Sequence, residues 1–154
     1  INSGLRLVAA DLPVRVLVVG SGNQNYLSKL RARVQAAGAA DHFIWRDFAP
    51  RSELAGFLNA ADVAVWPGDQ STTFIEAMAV GLPLVTVESD YARNLAADGG
   101  KYFQSGDVQA LTSMLKDLIE DRNRREQIGT AALQRVDSEL NWEIVSERFL
   151  ELCV

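Results

Sequence analysis

The stretch that decides the fold is Val14-Arg-Val-Leu-Val-Val-Gly-Ser-Gly22, a short apolar run that ends in two glycines. An apolar run of this length predicts a buried strand, and the residues after it, among them Leu27, Leu30 and Val34, recur at helical spacing. A strand followed by a helix is repeated along much of the chain, which predicts a parallel sheet with helices packed on it. The sequence therefore predicts an α/β fold.

Working outward from the strand at 14–19, four more strands are predicted at 43–45, 62–66, 83–87 and 101–103. A helix at 5–10 precedes the first strand, and Ser52 is the expected N-cap of the helix before the third. Residues 104–154 predict helices only, with Asp107 and Asn141 as N-caps. No repeat, linker or charge block divides the chain, so residues 1–154 are predicted to form one domain with a helical C-terminal extension.

The composition excludes several classes of protein. The 154 residues are 48% hydrophobic and 23% charged, which is ordinary for a globular domain and excludes a disordered chain. The net charge of −5 argues against a nucleic-acid partner, which would require a basic face. With one cysteine, Cys153, and one histidine, His42, the chain cannot assemble a zinc site of the usual ligands or an internal disulfide. A reducing, cytoplasmic location fits this cysteine usage.

The first candidate site is the glycine loop Gly20-Ser21-Gly22, between the first strand and its helix. Glycines let the backbone approach a ligand, and the start of a helix offers free N–H groups to a phosphate. A dinucleotide-binding fingerprint also has a third glycine, but Asn25 stands at that position. It further has an acidic residue at the end of the next strand, for which Asp47 is the candidate. A tight turn without a ligand explains the loop equally well.

The second candidate site follows the third strand, where Ser71, Thr72 and Thr73 precede Glu76. The hydroxyl and N–H groups of this loop could bind an anion, and the Glu76 carboxylate could accept two hydrogen bonds from a ribose. Thr73 and Glu76 also have the spacing of a capping box, in which the glutamate only binds the backbone. From spacing alone, the capping box is the favoured interpretation.

Two further groups of polar residues follow strands at the same edge of the sheet. The first is Arg46, Asp47 and Phe48, where an arginine or aromatic side chain could stack on or hydrogen-bond a base, although solvated turn residues are the commoner case. Glu88, Ser89 and Asp90 could contact a polar ligand or form an ordinary surface loop. The three tryptophans, by contrast, are predicted to be core residues; they are Trp45, Trp66 and Trp142.

Five stretches, in order along the chain, resemble segments of one known family. The most specific is Glu76-Ala-Met-Ala-Val-Gly-Leu-Pro-Leu-Val85, similar to a Glu-Ala-Met-Ala-x-Gly-x-Pro-Val-Val run. The others are Leu17-Val-Val-Gly-Ser-Gly22, Ala60-Ala-Asp-Val-Ala-Val-Trp-Pro67, Gly106-Asp107 followed by Leu111, and Asn141-Trp142. Together they resemble the C-terminal domain of retaining glycosyltransferases with the GT-B fold, family 4 type. The resemblance favours a ligand role for Glu76.

The resemblance implies a Rossmann-like domain that binds a nucleotide-diphosphate sugar and faces an N-terminal Rossmann-like acceptor domain. It implies that Glu76 contacts the ribose and that Ser71, Thr72 and Thr73 meet the diphosphate or the sugar. It places Gly20, Ser21 and Gly22 beside the phosphates, and Arg46 and Phe48 near the base. It also implies that no metal or other cofactor is needed, and that the other domain could hold the enzyme at the inner face of the membrane.

The sequence departs from the family pattern in several places. After the fourth strand, Asp90-Tyr91 replaces an expected Gly-Gly pair, and Asn94 replaces the glutamate that follows it. Where the family has a second glutamate, eight positions before the ribose-binding one, this chain has Gly68, with Asp69 beside it as the candidate substitute. Two alternatives to a transferase therefore stay open. One is a nucleotide-sugar epimerase or hydrolase of the same fold, and the other is a non-catalytic nucleotide-binding or partner module.

The order of the predicted elements also implies that one strand is missing. The chain begins with a helix that leads into the strand at 14–19, whereas strand-helix-strand units require a strand before that helix. In the usual order of such sheets this strand would lie between the strands at 14–19 and 62–66. We expect it to be supplied from outside these residues, and residues 1–154 alone to transfer no sugar.

Overall fold

Five short strands, all parallel, form two sheets in a computed structural model that describes residues 1–68 and 71–152. The first sheet pairs two strands and the second has three, in the order β3-β4-β5. All five predicted strands are confirmed, with ends within two residues of those expected. The strands are β1 (Val16–Val19), β2 (Phe43–Arg46), β3 (Ala64–Trp66), β4 (Leu84–Val87) and β5 (Gly100–Phe103).

Eight α-helices connect and follow these strands within the described ranges. They are α1 (Asn2–Ala9), α2 (Gln24–Ala36), α3 (Arg51–Asn59), α4 (Thr73–Ala79), α5 (Asp90–Ala96), α6 (Val108–Glu120), α7 (Arg122–Arg135) and α8 (Trp142–Glu151). Short 3₁₀ turns at Ala40–His42 and Ala97–Gly99 and a π-helical turn at Val136–Leu140 complete the chain. None of the described helices is both long and apolar enough to cross a bilayer.

Two of the three predicted N-caps are confirmed. The side chain of Asp107 accepts a hydrogen bond from the Ala110 N–H at 2.8 Å, and that of Asn141 accepts one from Ile144 at 3.0 Å. The prediction that Ser52 caps α3 is wrong. Pro50 is the N-cap, and its carbonyl accepts the Glu53 N–H at 2.9 Å, so the helix starts one residue before the serine.

The strands of the two sheets do not pair with each other: β1 hydrogen-bonds to β2 and β3 to β4, and β1 and β3 are not neighbours. The predicted discontinuity between these two strands is therefore present. The expectation that a further strand lies between β1 and β3 stays a prediction.

Three clusters of buried side chains hold the elements together. On one face of β3 and β4, Leu84 packs with Phe74 and Met78 of α4 and with Ala132 of α7. On the other face, Val85 packs with α6 through residues that include Leu118. Around β1 and β2, the third cluster joins α1 and α2 to one face of the strands; its members are Val34, Ala39 and Phe43, with Ile1, Leu5, Val8, Val16, Val18 and Trp45 against them.

Packing of α1 on α6 connects the two sheets. Arg6 donates a hydrogen bond to Gln109 Oε1 at 2.8 Å, and the Ser3 hydroxyl lies 3.5 Å from the Val108 carbonyl oxygen. Because α1 covers β1 and β2 while α6 covers β4 and β5, this contact places the two sheets side by side under one layer of helices.

The prediction that all three tryptophans are core residues is wrong for Trp142. Trp45 and Trp66 are partly buried against clusters, but Trp142 is 83% exposed. The helical spacing of Trp142, Val145 and Phe149 gives α8 an apolar face, as expected. That face is solvent-exposed because α8 lies against the π-helical turn and buries none of its own residues.

A substitution at Gly129 of α7 tests how closely this helix packs on the end of α4, and Gly56 of α3 provides the control. A Cβ added at Gly129 would collide with the carbonyl oxygen of Gly81, whereas one added at Gly56 would meet nothing within 4 Å. We expect Gly129→Ala to lower the free energy of unfolding by about 1–3 kcal/mol through overpacking. Gly56→Ala should raise it by about 0.5–1 kcal/mol, since alanine favours the helix. Urea unfolding of both variants measures this, and a Gly129→Ala protein as stable as the parent would contradict it.

Candidate functional site

The candidate residues lie on loops at one edge of the strands. In parallel strands all carboxyl ends meet at the same edge, which is where α/β sheets bind ligands. The loop after β1 is joined to the end of β2 by the Gly20 N–H, which donates to the Arg46 carbonyl at 3.1 Å. Two of the predicted groups, the glycine loop and the residues around Arg46, are therefore adjacent.

The glycine loop has the conformation that phosphate-binding loops use. Gly20, Ser21 and Gly22 are all exposed, and Gly20 has a φ of +138°, which other residues rarely adopt. No atom lies within 4 Å of the place a Gly20 Cβ would occupy, so the glycine is required by its backbone angle rather than by lack of space. The loop is thus open on its outer side, where a ligand would approach.

The start of α2 next to this loop offers free N–H groups. Asn23, which was not among the residues predicted from the sequence, is the N-cap, and its side chain accepts the Tyr26 N–H at 3.1 Å. The first N–H groups of a helix have no partner within the helix. With the Tyr26 N–H capped, those of Gln24 and Asn25 are directed out of the helix end. An Asn followed three residues later by a helical pattern could have revealed this cap in the sequence.

The residues after β2 are exposed at the same edge. Arg46 is the last residue of β2 and lies opposite Val19, one residue beyond the predicted end of the strand. Phe48 is 76% exposed, an unusual amount for an aromatic side chain on a short loop. The structure shows it free of the core, and its contact with a base stays a prediction.

The loop after β3 presents hydroxyl groups at the start of α4. The Ser71 and Thr73 hydroxyl oxygens are 2.6 Å apart, and both Ser71 and Thr72 are exposed. Thr72 is the N-cap, and its side chain makes no capping hydrogen bond. The Ser71 and Thr73 hydroxyls are therefore paired with each other, and the Thr72 side chain does not close the helix end. Asp69, the candidate catalytic residue, lies outside the described residues.

The carboxylate of Glu76 has a side-chain partner, and the capping box is not formed. Glu76 Oε1 lies 3.2 Å from Nε of Arg51, the first residue of α3, and its side chain is 28% exposed. Within residues 71–76 the structure has no hydrogen bond from Thr73 to the backbone or from Glu76 to it. The ion pair also brings the loop that contains Phe48 and the loop that contains Ser71 to the same place.

The Arg51 side chain of this ion pair is 89% exposed. Ion pairs this open to water contribute little to stability, about 0–1 kcal/mol. Hydroxyl groups of a ligand could therefore displace the arginine from Glu76 at small cost. Glu76 itself lies in the first turn of α4, and its side chain is partly exposed to solvent.

The residues after β4 are engaged with each other. Arg93 donates to Glu88 Oε1 at 2.8 Å, and Gln104 donates to Glu88 Oε2 at 2.7 Å. The Ser89 side chain caps α5 by accepting the Ala92 N–H at 3.0 Å. Asp90, the third of the polar residues predicted after the fourth strand, is exposed to solvent. The surface-loop interpretation fits Glu88 and Ser89.

Comparison with known proteins assigns the family. The family model for group 1 glycosyl transferases matches residues 5–135, which is most of the chain. The chain therefore belongs to the group 1 glycosyl transferases, as the resemblance of its five stretches predicted.

Among curated proteins, the chain is 27% identical over 158 residues to a GDP-mannose-dependent monoacylated alpha-(1-6)-phosphatidylinositol monomannoside mannosyltransferase of Corynebacterium glutamicum. That match covers 96% of this chain and 40% of the relative, so the chain spans about two-fifths of the relative's length.

Solved structures confirm the fold. The chain superposes on Anabaena Alr3699/HepE in complex with UDP with a TM-score of 0.83 at 21% identity, covering 98% of this chain and 44% of that one. It superposes equally well, at 0.83 and 17% identity, on the C-terminal domain of a group 1 glycosyl transferase, LpcC, from Francisella tularensis, covering 92% and 77% of the two chains. The predicted C-terminal half of a GT-B fold is confirmed.

The conformation of the glycine loop gives a prediction that separates its two glycines. Gly20→Ala should lower the free energy of unfolding by about 1–2 kcal/mol, because alanine at a φ of +138° is strained. Gly22→Ala should change it by less than about 0.5 kcal/mol, since its Cβ would make an ordinary contact 3.9 Å from Leu27. Thermal unfolding of both variants checks this. Equal losses in the two variants would show that the backbone angle at Gly20 is not the constraint.

Proposed function

We propose that this chain is the donor-binding half of a retaining glycosyltransferase that transfers a hexose-type sugar from a nucleotide diphosphate to an acceptor hydroxyl. The single observation that carries the proposal is the Glu76 carboxylate at the ligand-binding edge, paired with a solvent-exposed arginine rather than with the backbone. Membership of the group 1 glycosyl transferases supports the transfer chemistry. The family relative named above uses GDP-mannose, and HepE was solved with UDP, so a nucleotide-sugar donor fits both.

In this proposal the donor lies across the loops in a defined order. The Glu76 carboxylate accepts hydrogen bonds from two ribose hydroxyls, which a charged, rigidly held acceptor suits. The base lies toward the loop with Arg46 and Phe48, on which it can stack, since the Arg51–Glu76 pair joins that loop to the ribose position. Stacking of this kind accepts any base, so the choice among uracil, guanine and adenine is an outcome of the nucleotide comparison below.

The diphosphate is held by the protein alone. The α2 helix end next to Gly20, Ser21 and Gly22 supplies N–H groups and the positive end of a helix dipole, and Ser71, Thr72 and Thr73 supply hydroxyls. These groups are aimed at the charge that develops on the departing diphosphate, which is where preorganised donors accelerate transfer most. No metal is needed for this step. Asp69 is the proposed carboxylate near the reacting sugar, at the position beside Gly68 where the family has glutamate.

The rest of the protein completes the enzyme. An N-terminal Rossmann-like domain supplies the acceptor site, consistent with a chain that spans about two-fifths of its relative's length. The relative acts on a phosphatidylinositol mannoside, so an acceptor at the inner face of the membrane, reached from the cytoplasm, is part of the proposal. No nucleic acid takes part.

Ligand-dependent stability tests the class of ligand. We expect UDP, GDP or ADP to raise the melting temperature of the protein that contains this chain, and NAD to leave it unchanged, since only a bound ligand stabilises the folded state. The shift should persist in EDTA, because backbone and hydroxyl groups hold the diphosphate. Stabilisation by NAD alone would contradict the donor site, and a shift abolished by EDTA and restored by Mg²⁺ would contradict metal-free binding.

The role of Glu76 is tested by its isosteric amide. Glu76→Gln should weaken binding of the stabilising nucleotide by roughly ten- to a hundredfold, the value of a hydrogen bond to a charged group, with little loss of stability. Glu53→Gln, the same change on an exposed residue in the first turn of α3, is the matched control and should bind normally. Isothermal titration measures both. Unchanged affinity with lost stability would return Glu76 to a structural role.

Acceptor dependence separates transfer from the two alternatives. With a radiolabelled nucleotide-sugar, a transferase should consume the donor at a rate that rises at least about tenfold when acceptor is added, because its active site excludes water. A hydrolase or epimerase would consume or isomerise the donor equally fast without acceptor, and a non-catalytic module would bind the nucleotide without turnover.

A further inference from the structure

The ion pair between Arg51 and Glu76 contributes little to the stability of the fold. Arg51 is the first residue of α3, where the positive end of the helix dipole disfavours a cation. Its side chain is 89% exposed, and it approaches Oε1 of Glu76 through Nε, at 3.2 Å. Strong arginine–carboxylate pairs use two parallel hydrogen bonds instead. The position of this arginine is therefore not explained by its own helix or by the packing of α3 on α4.

The pair does control access to the Glu76 carboxylate. The Glu76 side chain is 28% exposed, so the arginine is the more exposed partner and lies on the solvent side of the carboxylate. Within residues 1–68 and 71–152, no other side chain pairs with Arg51 or with Glu76. A ligand that arrives from solvent therefore meets a guanidinium already placed on one of the two carboxylate oxygens, which are the acceptors that ribose hydroxyls need.

We propose that Arg51 is an internal competitor for this carboxylate: it occupies Glu76 in the free protein, and ribose hydroxyls bind by displacing it. The proposal rests on the function proposed above, in which Glu76 receives the ribose. Because the guanidinium and the hydroxyls donate to the same oxygens, the free energy of the ion pair is subtracted from that of ligand binding. An exposed pair is weak, so the competition lowers affinity a few-fold and does not block the site.

Competition of this kind acts on substrate and product alike. The nucleotide-sugar donor and the nucleoside diphosphate left after transfer carry the same ribose, so Arg51 weakens the binding of both to the same degree. As the product leaves, the arginine returns to Glu76. Release of product limits the turnover of many enzymes. Arg51 is therefore a positioning residue, which acts through Glu76 and shortens the time that the product stays bound.

A ratio of two affinities isolates the ribose hydroxyls from the attraction between an arginine and a diphosphate. The ligands are whichever of UDP, GDP and ADP stabilises the protein most, and its 2′,3′-dideoxy form, which lacks both hydroxyls. Isothermal titration of the protein that contains this chain gives the factor by which the hydroxyls tighten binding. We expect Arg51→Ala to raise this factor by about two- to fivefold, because the carboxylate is then unoccupied. Loss of a cation affects both ligands equally and cancels in the ratio.

Three further variants connect this gain to the Glu76 carboxylate. Arg122→Ala is the matched control, since Arg122 is likewise the first residue of a helix and pairs through Nε with a glutamate, Glu126. It should leave the ratio unchanged. In a Glu76→Gln protein, Arg51→Ala should give no gain, because there is no carboxylate to release, so the two changes are non-additive. Arg51→Lys keeps a cation beside Glu76 and should stay close to the unaltered protein.

A ratio that is unchanged or lower in Arg51→Ala would overturn the proposal, as would an equal gain in the Glu76→Gln background. Equal binding of the two ligands by the unaltered protein would instead contradict the proposed ribose role of Glu76 itself. The unaltered protein also gives a reading that needs no variant. By NMR, the nucleoside diphosphate should shift the Arg51 Nε–H signal more than its dideoxy form does, and equal shifts would contradict the competition.

Discussion

The parallel pairing of the strands is the constraint on which the site depends. Because β1 and β2 run in the same direction and in register, the chain leaves both at one edge, and the Gly20–Arg46 hydrogen bond locks the two exits together. The same holds for β3 and β4, whose exits carry the hydroxyl loop and Glu88. Loops far apart in sequence therefore share one edge without any direct bond between most of their residues.

The fold was predictable to the extent that it depends on local apolar patterns. Short buried runs and helical spacing located every strand and most helices, since burial and period are written in the sequence itself. The start of α3 was not, because Pro50 and Ser52 both suit a helix entry and the carbonyl of Pro50 takes the first bonds. Trp142 was misplaced for a different reason: helical spacing predicts an apolar face on α8, but spacing alone does not show that another element packs on that face, and in the described residues none buries it.

The candidate site was predictable only in part. Glycines at the end of a strand and hydroxyls before a helix were visible as patterns in the sequence. The positive φ of Gly20 explains why a glycine stands at that position. The capping-box spacing of Thr73 and Glu76 could not distinguish a structural glutamate from a ligand-binding one. What the structure adds is that Glu76 pairs with Arg51 rather than with the backbone; Arg51 is 25 positions away and meets Glu76 only because α3 and α4 are brought together in space. Its contact with a ribose stays a prediction.

A structure of the protein with the nucleoside diphosphate that stabilises it is the most direct test of the central claim. The account predicts both ribose hydroxyls within hydrogen-bonding distance of the Glu76 carboxylate, with Arg51 moved off it and the diphosphate over Gly20, Ser21 and Gly22. A nucleotide bound at any other surface, with the Arg51–Glu76 pair intact, would contradict it.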